Sequence, residues 1–98
     1  MEIVYRNNKL KKICTDLKAA ERAYGRRMAF KIRQRINEIY AADDVEMMVR
    51  FQIGRCHMLK HDRNGQYAMD LVHPYRLIFE EYGDTIHIAN ILEIVDYH

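Results

Sequence analysis

Apolar stretches are short throughout this 98-residue sequence, typified by Leu77–Phe79 and Ile94–Val95. None approaches the ~20 residues that cross a bilayer as a helix. The opening Met1–Val4 carries an acid, Glu2, where a secretory leader carries positive charge, and no apolar stretch follows it. A cytoplasmic protein is expected. Cysteine occurs only as Cys14 and Cys56, with no C-x-x-C pair. That excludes a disulfide framework, and two free thiols packed as small hydrophobes are expected. Proline occurs once, at Pro74, and no internal repeat or low-complexity segment is visible.

What remains is an ordinary globular composition, 49% hydrophobic and 31% charged, in a chain long enough for one core. Residues 1–98 are therefore read as a single domain. The net charge of +2 hides a segregation. Residues 1–42 hold eleven Lys or Arg against four Asp or Glu, and residues 43–98 hold five against ten. The basic half runs through Arg22, Arg26, Arg27, Lys31, Arg33 and Arg35. Such a stretch follows a phosphate backbone or an acidic partner, and a solvated helix face accounts for the density equally well.

Periodicity divides the chain. Glu2–Tyr5 suits a strand, and Asn7-Asn8 can cap a helix over Lys9–Leu17. A second helix is expected from Ala20 to Ala42, with Met28, Ile32, Ile36 and Ile39 forming one apolar stripe and Gly25 weakening its first turns. Asp43 with Glu46 reads as the cap of a short helix over Val45–Gln52. After Gly54 the pattern alternates. Strands are expected over Cys56–Lys60, Gln66–Val72, Tyr75–Glu81 and Ile86–Tyr97, with Pro74 at a strand start or edge and Asn90 a bulge. The order predicts an α+β fold: an N-terminal strand and two to three helices packed on one face of a small antiparallel sheet.

Five histidines, His57, His61, His73, His87 and His98, fall in the second half, together with Lys60, Arg63, Arg76, Asp96 and Tyr97. If the strand bearing Asp96-Tyr97-His98 neighbours Cys56–Lys60, proton-transfer groups and fixed cations share one place. Such a kit suits RNA cleavage by the substrate's own 2′-hydroxyl, with no cofactor and no metal required. The plainer readings run alongside. His57 and His61 are spaced H-x3-H, but on a strand and turn and without further ligands. His73 suits a turn, His87 a solvent-facing strand position, and Arg76 a paired structural arginine.

The segments His57–Tyr67, His73–Phe79 and Glu93–His98, carrying H-x-L-K-x-x-R-x-G-x-Y, a Y-R-hydrophobic strand and a terminal D-Y-H, resemble HigB-type toxins of the RelE/ParE toxin–antitoxin superfamily, often called plasmid maintenance killer proteins. The resemblance covers nearly the whole chain. It implies a RelE-like fold and a ribosome-dependent mRNA endoribonuclease (an mRNA interferase) silenced by a helix-turn-helix antitoxin, through whose complex DNA is contacted indirectly. It implies His57 and His98 as acid/base residues, Asp96 and Tyr97 completing the catalytic group, and Lys60 and Arg76 holding the scissile phosphate, with Arg63 at a further pattern position. Met58 stands where the family commonly has Pro, and His61 where it has Gly. A ParE-like gyrase inhibitor and a non-catalytic antitoxin-binding subunit are the alternatives.

Overall fold

A computed structural model gives the structure of the chain and describes residues 1–96. Short polar residues and glycine set the helix limits. Asn7 opens α1 (Asn8–Thr15), its Oδ1 accepting the Leu10 N–H at 2.8 Å. Asp16 closes α1 and caps α2 (Leu17–Tyr24), where its carboxylate accepts the Lys18 and Ala19 N–H groups at 3.0 and 3.3 Å. The single helix expected over Ala20–Ala42 is in fact broken. Gly25, at φ +87°, separates α2 from α3 (Arg26–Ala41), a backbone geometry essentially closed to other residues. The α4 helix (Val45–Arg50) is capped by Asp44 rather than Asp43, with the Met47 N–H 2.8 Å from its Oδ1.

Five strands form one sheet: β1 (Glu2–Tyr5), β2 (His57–Met58), β3 (Gln66–Asp70), β4 (Tyr75–Tyr82) and β5 (Thr85–Asp96), in the order β1-β5-β4-β3-β2. All neighbours are antiparallel except β1, which lies parallel to β5. The expected all-antiparallel sheet is corrected at that edge. The strand expected over Cys56–Lys60 shrinks to two residues, and a 3-10 turn at His61–Arg63 follows it. The β4–β5 pairing has two irregularities, one near the turn between Glu81 and Tyr82 and one within β5 at Leu92, skipped between Glu93 opposite Ile78 and Ile91 opposite Phe79. Asn90, expected as the bulge, is paired with Glu80 and donates to its carboxylate at 3.2 Å.

Alternation then assigns two faces. Tyr67, Met69, Leu71, Leu77, Phe79, Ala89 and Ile91 pack beneath the stripe Met28, Ala29, Ile32, Ile36 and Ile39 of α3. The Leu92 bulge lets Ile94 return to this same side, three residues after Ile91. Ala68 and Ile78 point to the opposite face, outside the helix-side cluster, yet both are fully buried. Arg35 ties the layers together. Its Nε donates to the Asp70 carbonyl at 2.6 Å, and its guanidinium meets Glu38 at 2.8 Å.

Candidate functional site

The face turned away from the helices carries the polar residues. Register orders them in rows: His57, Ala68, Ile78 and Glu93 form one, and Asp70 and Arg76 lie in the next, two residues along. Arg55 extends that second row, because the turn before β2 swings it onto β3. Its Nε lies 3.1 Å from Asp70 Oδ2, while Arg76 Nε lies 3.7 Å from Oδ1 of the same carboxylate. A cleft of about 210 Å³ opens here, lined by Arg55, Asp70 and Arg76 and by His73, Pro74 and Tyr75 from the turn between β3 and β4.

His57 is half-buried, and its Nδ1 stands 2.8 Å from the Arg55 carbonyl. A neutral imidazole donating there keeps its Nε2 lone pair for a proton. Arg63, from the 3-10 turn, reaches Gln66 on β3 at 3.2 Å and Glu93 on β5 at 3.4 Å. It therefore links β3 to β5 across the intervening β4. Lys60 is exposed at the start of that turn.

The sequence-expected residues are thus partly gathered. His57, Arg63 and Arg76 share one face, and Lys60 lies nearby in the chain. Asp96 pairs with Tyr75, which packs on the helix side, so register assigns Asp96 to that side of the sheet. It lies at the same end of the sheet as Arg76, beside the cleft. The strands bearing His57 and Asp96 are not neighbours as expected, because β3 and β4 intervene. Three strand spacings across and three residues along separate their Cα atoms by about 17 Å. Tyr97 and His98 lie outside the described residues.

The other histidines take separate places. His61 is exposed at φ +63°, His73 precedes the cis Pro74 on the cleft wall, and His87 Nδ1 meets the Asp43 carbonyl at 3.0 Å. Among the described residues no three of His, Cys, Asp and Glu are grouped as metal ligands. No helix among them is long and apolar enough to cross a membrane. Burial pushes the Cys56 thiol, beside His57, up to about 12, so it stays protonated and inert at neutral pH. Of the basic helices, Arg22, Arg26, Arg27 and Arg33 are exposed, whereas Arg35 is consumed internally, its side chain only 11% exposed.

Sequence reasoning missed Arg55 and Asp70. For Asp70 the signal was parity, two residues from Ala68 on the same strand, whereas Arg55 stands outside β2 in the turn before it and carried no such signal. That parity becomes readable only once the register between β2, β3 and β4 is known.

No family model matches the chain, and no curated protein matches its sequence. Solved structures do match. A YoeB/ParE toxin from Agrobacterium tumefaciens aligns over 100% of both chains with a TM-score of 0.68 at 14% identity. A YoeB–YefM complex from Staphylococcus aureus aligns over 100% of this chain and 97% of its own, with a TM-score of 0.64 at 21% identity. The YoeB dimer from the same organism covers the same shares with a TM-score of 0.63 at 20% identity. Identities this low speak to backbone architecture alone. The chain has, end to end, the α+β fold of these YoeB-type toxins.

Proposed function

We propose that this protein is the toxin of a type II toxin–antitoxin system, acting in the cytoplasm as a ribosome-dependent mRNA endoribonuclease. The observation that carries the reading is the placement of His57 and Arg76 on one sheet face, one row and two strands apart, in a chain of this fold. Strand spacing and rise separate their Cα atoms by about 12 Å, room for a phosphodiester between two side chains that reach inward. The HigB-type assignment rests on the H-x-L-K-x-x-R-x-G-x-Y and D-Y-H motifs. The helix-turn-helix antitoxin, and the DNA reached through it, rest on the same resemblance.

In this mechanism one imidazole, His57 or His98, removes the 2′-hydroxyl proton of the substrate. The 2′-oxygen attacks phosphorus as the 5′-oxygen leaves, and the other imidazole protonates it. The products are a 2′,3′-cyclic phosphate and a 5′-hydroxyl. Arg76 and Lys60 stabilise charge on the phosphorane, and Arg63 supports the face. Asp96 and Tyr97 belong to the catalytic group on the motif resemblance alone, Asp96 lying on the helix side of the sheet at the same end as Arg76.

Changing His57 to Ala should lower cleavage of translated mRNA by ~10²–10⁴-fold, read by primer extension, and relieve growth arrest in the absence of antitoxin. A His57→Ala/His98→Ala double variant that remains fully toxic would remove the mechanism. A binding function of the same fold, such as gyrase inhibition, is favoured by one feature: Arg55, Arg63 and Arg76 each have a carboxylate against them. Loss of DNA supercoiling by purified gyrase, with translated mRNA left intact, would select that second reading.

A further inference from the structure

We propose that Arg55 is a second phosphate-binding arginine of this face and that Asp70 is the positioning residue that aims it. The inference rests on the nuclease reading for its substrate, an RNA phosphodiester, but on the local geometry for its site.

The turn leading into β2 is strained. Gln52, Gly54 and Arg55 all have positive φ, at +51°, +59° and +57°. Left-handed backbone at a side-chain-bearing residue persists where surrounding structure over-determines it, and it clusters at binding sites. Here the determinant is Arg35. A Cβ on Gly54 would lie 2.7 Å from Arg35 Nε, and that same Nε holds the Asp70 carbonyl at 2.6 Å. One largely sequestered arginine thereby contacts both the turn that presents Arg55 and the strand end that presents Asp70.

The Arg55–Asp70 ion pair does not explain the strain. The Arg55 side chain is 72% exposed, and pairs of that kind contribute little to stability. The geometry suits another task. Arg55 Nε lies 3.1 Å from Asp70 Oδ2, and its exposed guanidinium carries two terminal nitrogens of the kind that fork onto a phosphate. Arg55 lines a cleft of about 210 Å³ together with Arg76 and His73. Among the residues that line the cleft, one carboxylate, Asp70, stands against two guanidiniums, Arg55 and Arg76. The carbonyl of Arg55 also sets the His57 ring, so one residue couples the phosphate's position to the proton-transfer group.

The test uses the purified full chain and a short single-stranded RNA carrying 2′-O-methyl groups, which binds without being cut. Affinity is measured by fluorescence anisotropy across a salt series for the parent, Arg55→Ala, Arg55→Lys and, as a distant control, Arg50→Ala. Arg55→Ala should weaken binding at least tenfold and reduce the slope of log affinity against log salt by about 0.7, the value of one phosphate contact on a single strand. Arg55→Lys should retain the slope and lose part of the affinity, since an ammonium cannot fork. Arg50→Ala should change neither. Primer extension on translated mRNA, run in parallel, separates the two readings. Intact cleavage with an unaltered Arg55→Ala slope overturns the role of Arg55 and leaves the nuclease standing. A reduced slope without cleavage by the parent supports the anion site and removes the nuclease. An RNA that the parent does not bind overturns the proposal.

Discussion

At the scale of single residues, Arg35 does the most with the least exposure. It sits on a helix whose other arginines face solvent, yet it spends its Nε on the Asp70 carbonyl and a terminal nitrogen on Glu38. Gly54 is its necessary partner. Any side chain at 54 would adopt a left-handed backbone and press on an arginine that is anchored at both ends. Gly54→Ala is therefore expected to destabilise the fold by about 1–3 kcal/mol, measured as a lower urea midpoint at unchanged slope. The variant should also weaken any function of Arg55, because the turn that presents Arg55 must move.

At the scale of elements, the helical layer is cut to length by Asp16, Gly25 and Asp44, and each cut aims the next helix. Gly25 is the sharpest case. Its φ of +87° and ψ of 169° fall in a region that only glycine occupies at low cost, and nothing lies within 4 Å of where a Cβ would stand. The cost of Gly25→Ala is thus a backbone cost free of any clash, expected at about 1–3 kcal/mol by chemical denaturation. Relief by fusing α2 and α3 into one helix would instead leave stability unchanged and raise the helical circular dichroism signal. Asp16 adds a pH-dependent element. The Lys12 ammonium beside it and the Ala19 and Lys18 N–H groups hold its carboxyl below the usual value of 3.8. Its support of the α1–α2 junction is complete above that value and is lost as pH falls through the lowered one.

At the scale of the whole molecule, the helix-side core sets the alkaline limit. Burial pushes Cys14 and Cys56 up to about 12 from 9.0, and Tyr5 up to about 12 from 10.0. The unfolded chain releases these protons first, so the contribution of each group is complete below its unfolded value. It declines as pH rises from about 9 toward 12. The slope is up to about 1.4 kcal/mol per pH unit for each cysteine and smaller for the partly exposed Tyr5. Melting temperatures recorded from pH 8 to 11 should fall progressively, and a Cys14→Ala variant should flatten the decline even if it starts lower. In the native protein both thiols should resist alkylation at pH 8 and react promptly in denaturant.

Much of this molecule could be read from its residue order. The α+β class, the stripe on α3, the opening strand and the three long strands follow from periodicity, because burial on one face imposes a local repeat that the chain displays. The free, buried cysteines follow from their isolation. Tertiary structure decided which elements become neighbours. It set β1 parallel against β5, interposed β3 and β4 between His57 and Asp96, moved the bulge from Asn90 to Leu92, and converted Arg35 from a surface charge to an internal tie. It also brought Arg55 and Arg76 to one carboxylate across two strands. The physical reason is that periodicity records how one segment meets the core. Register, and with it every contact between side chains on different strands, is fixed only by the pairing of segments distant in sequence.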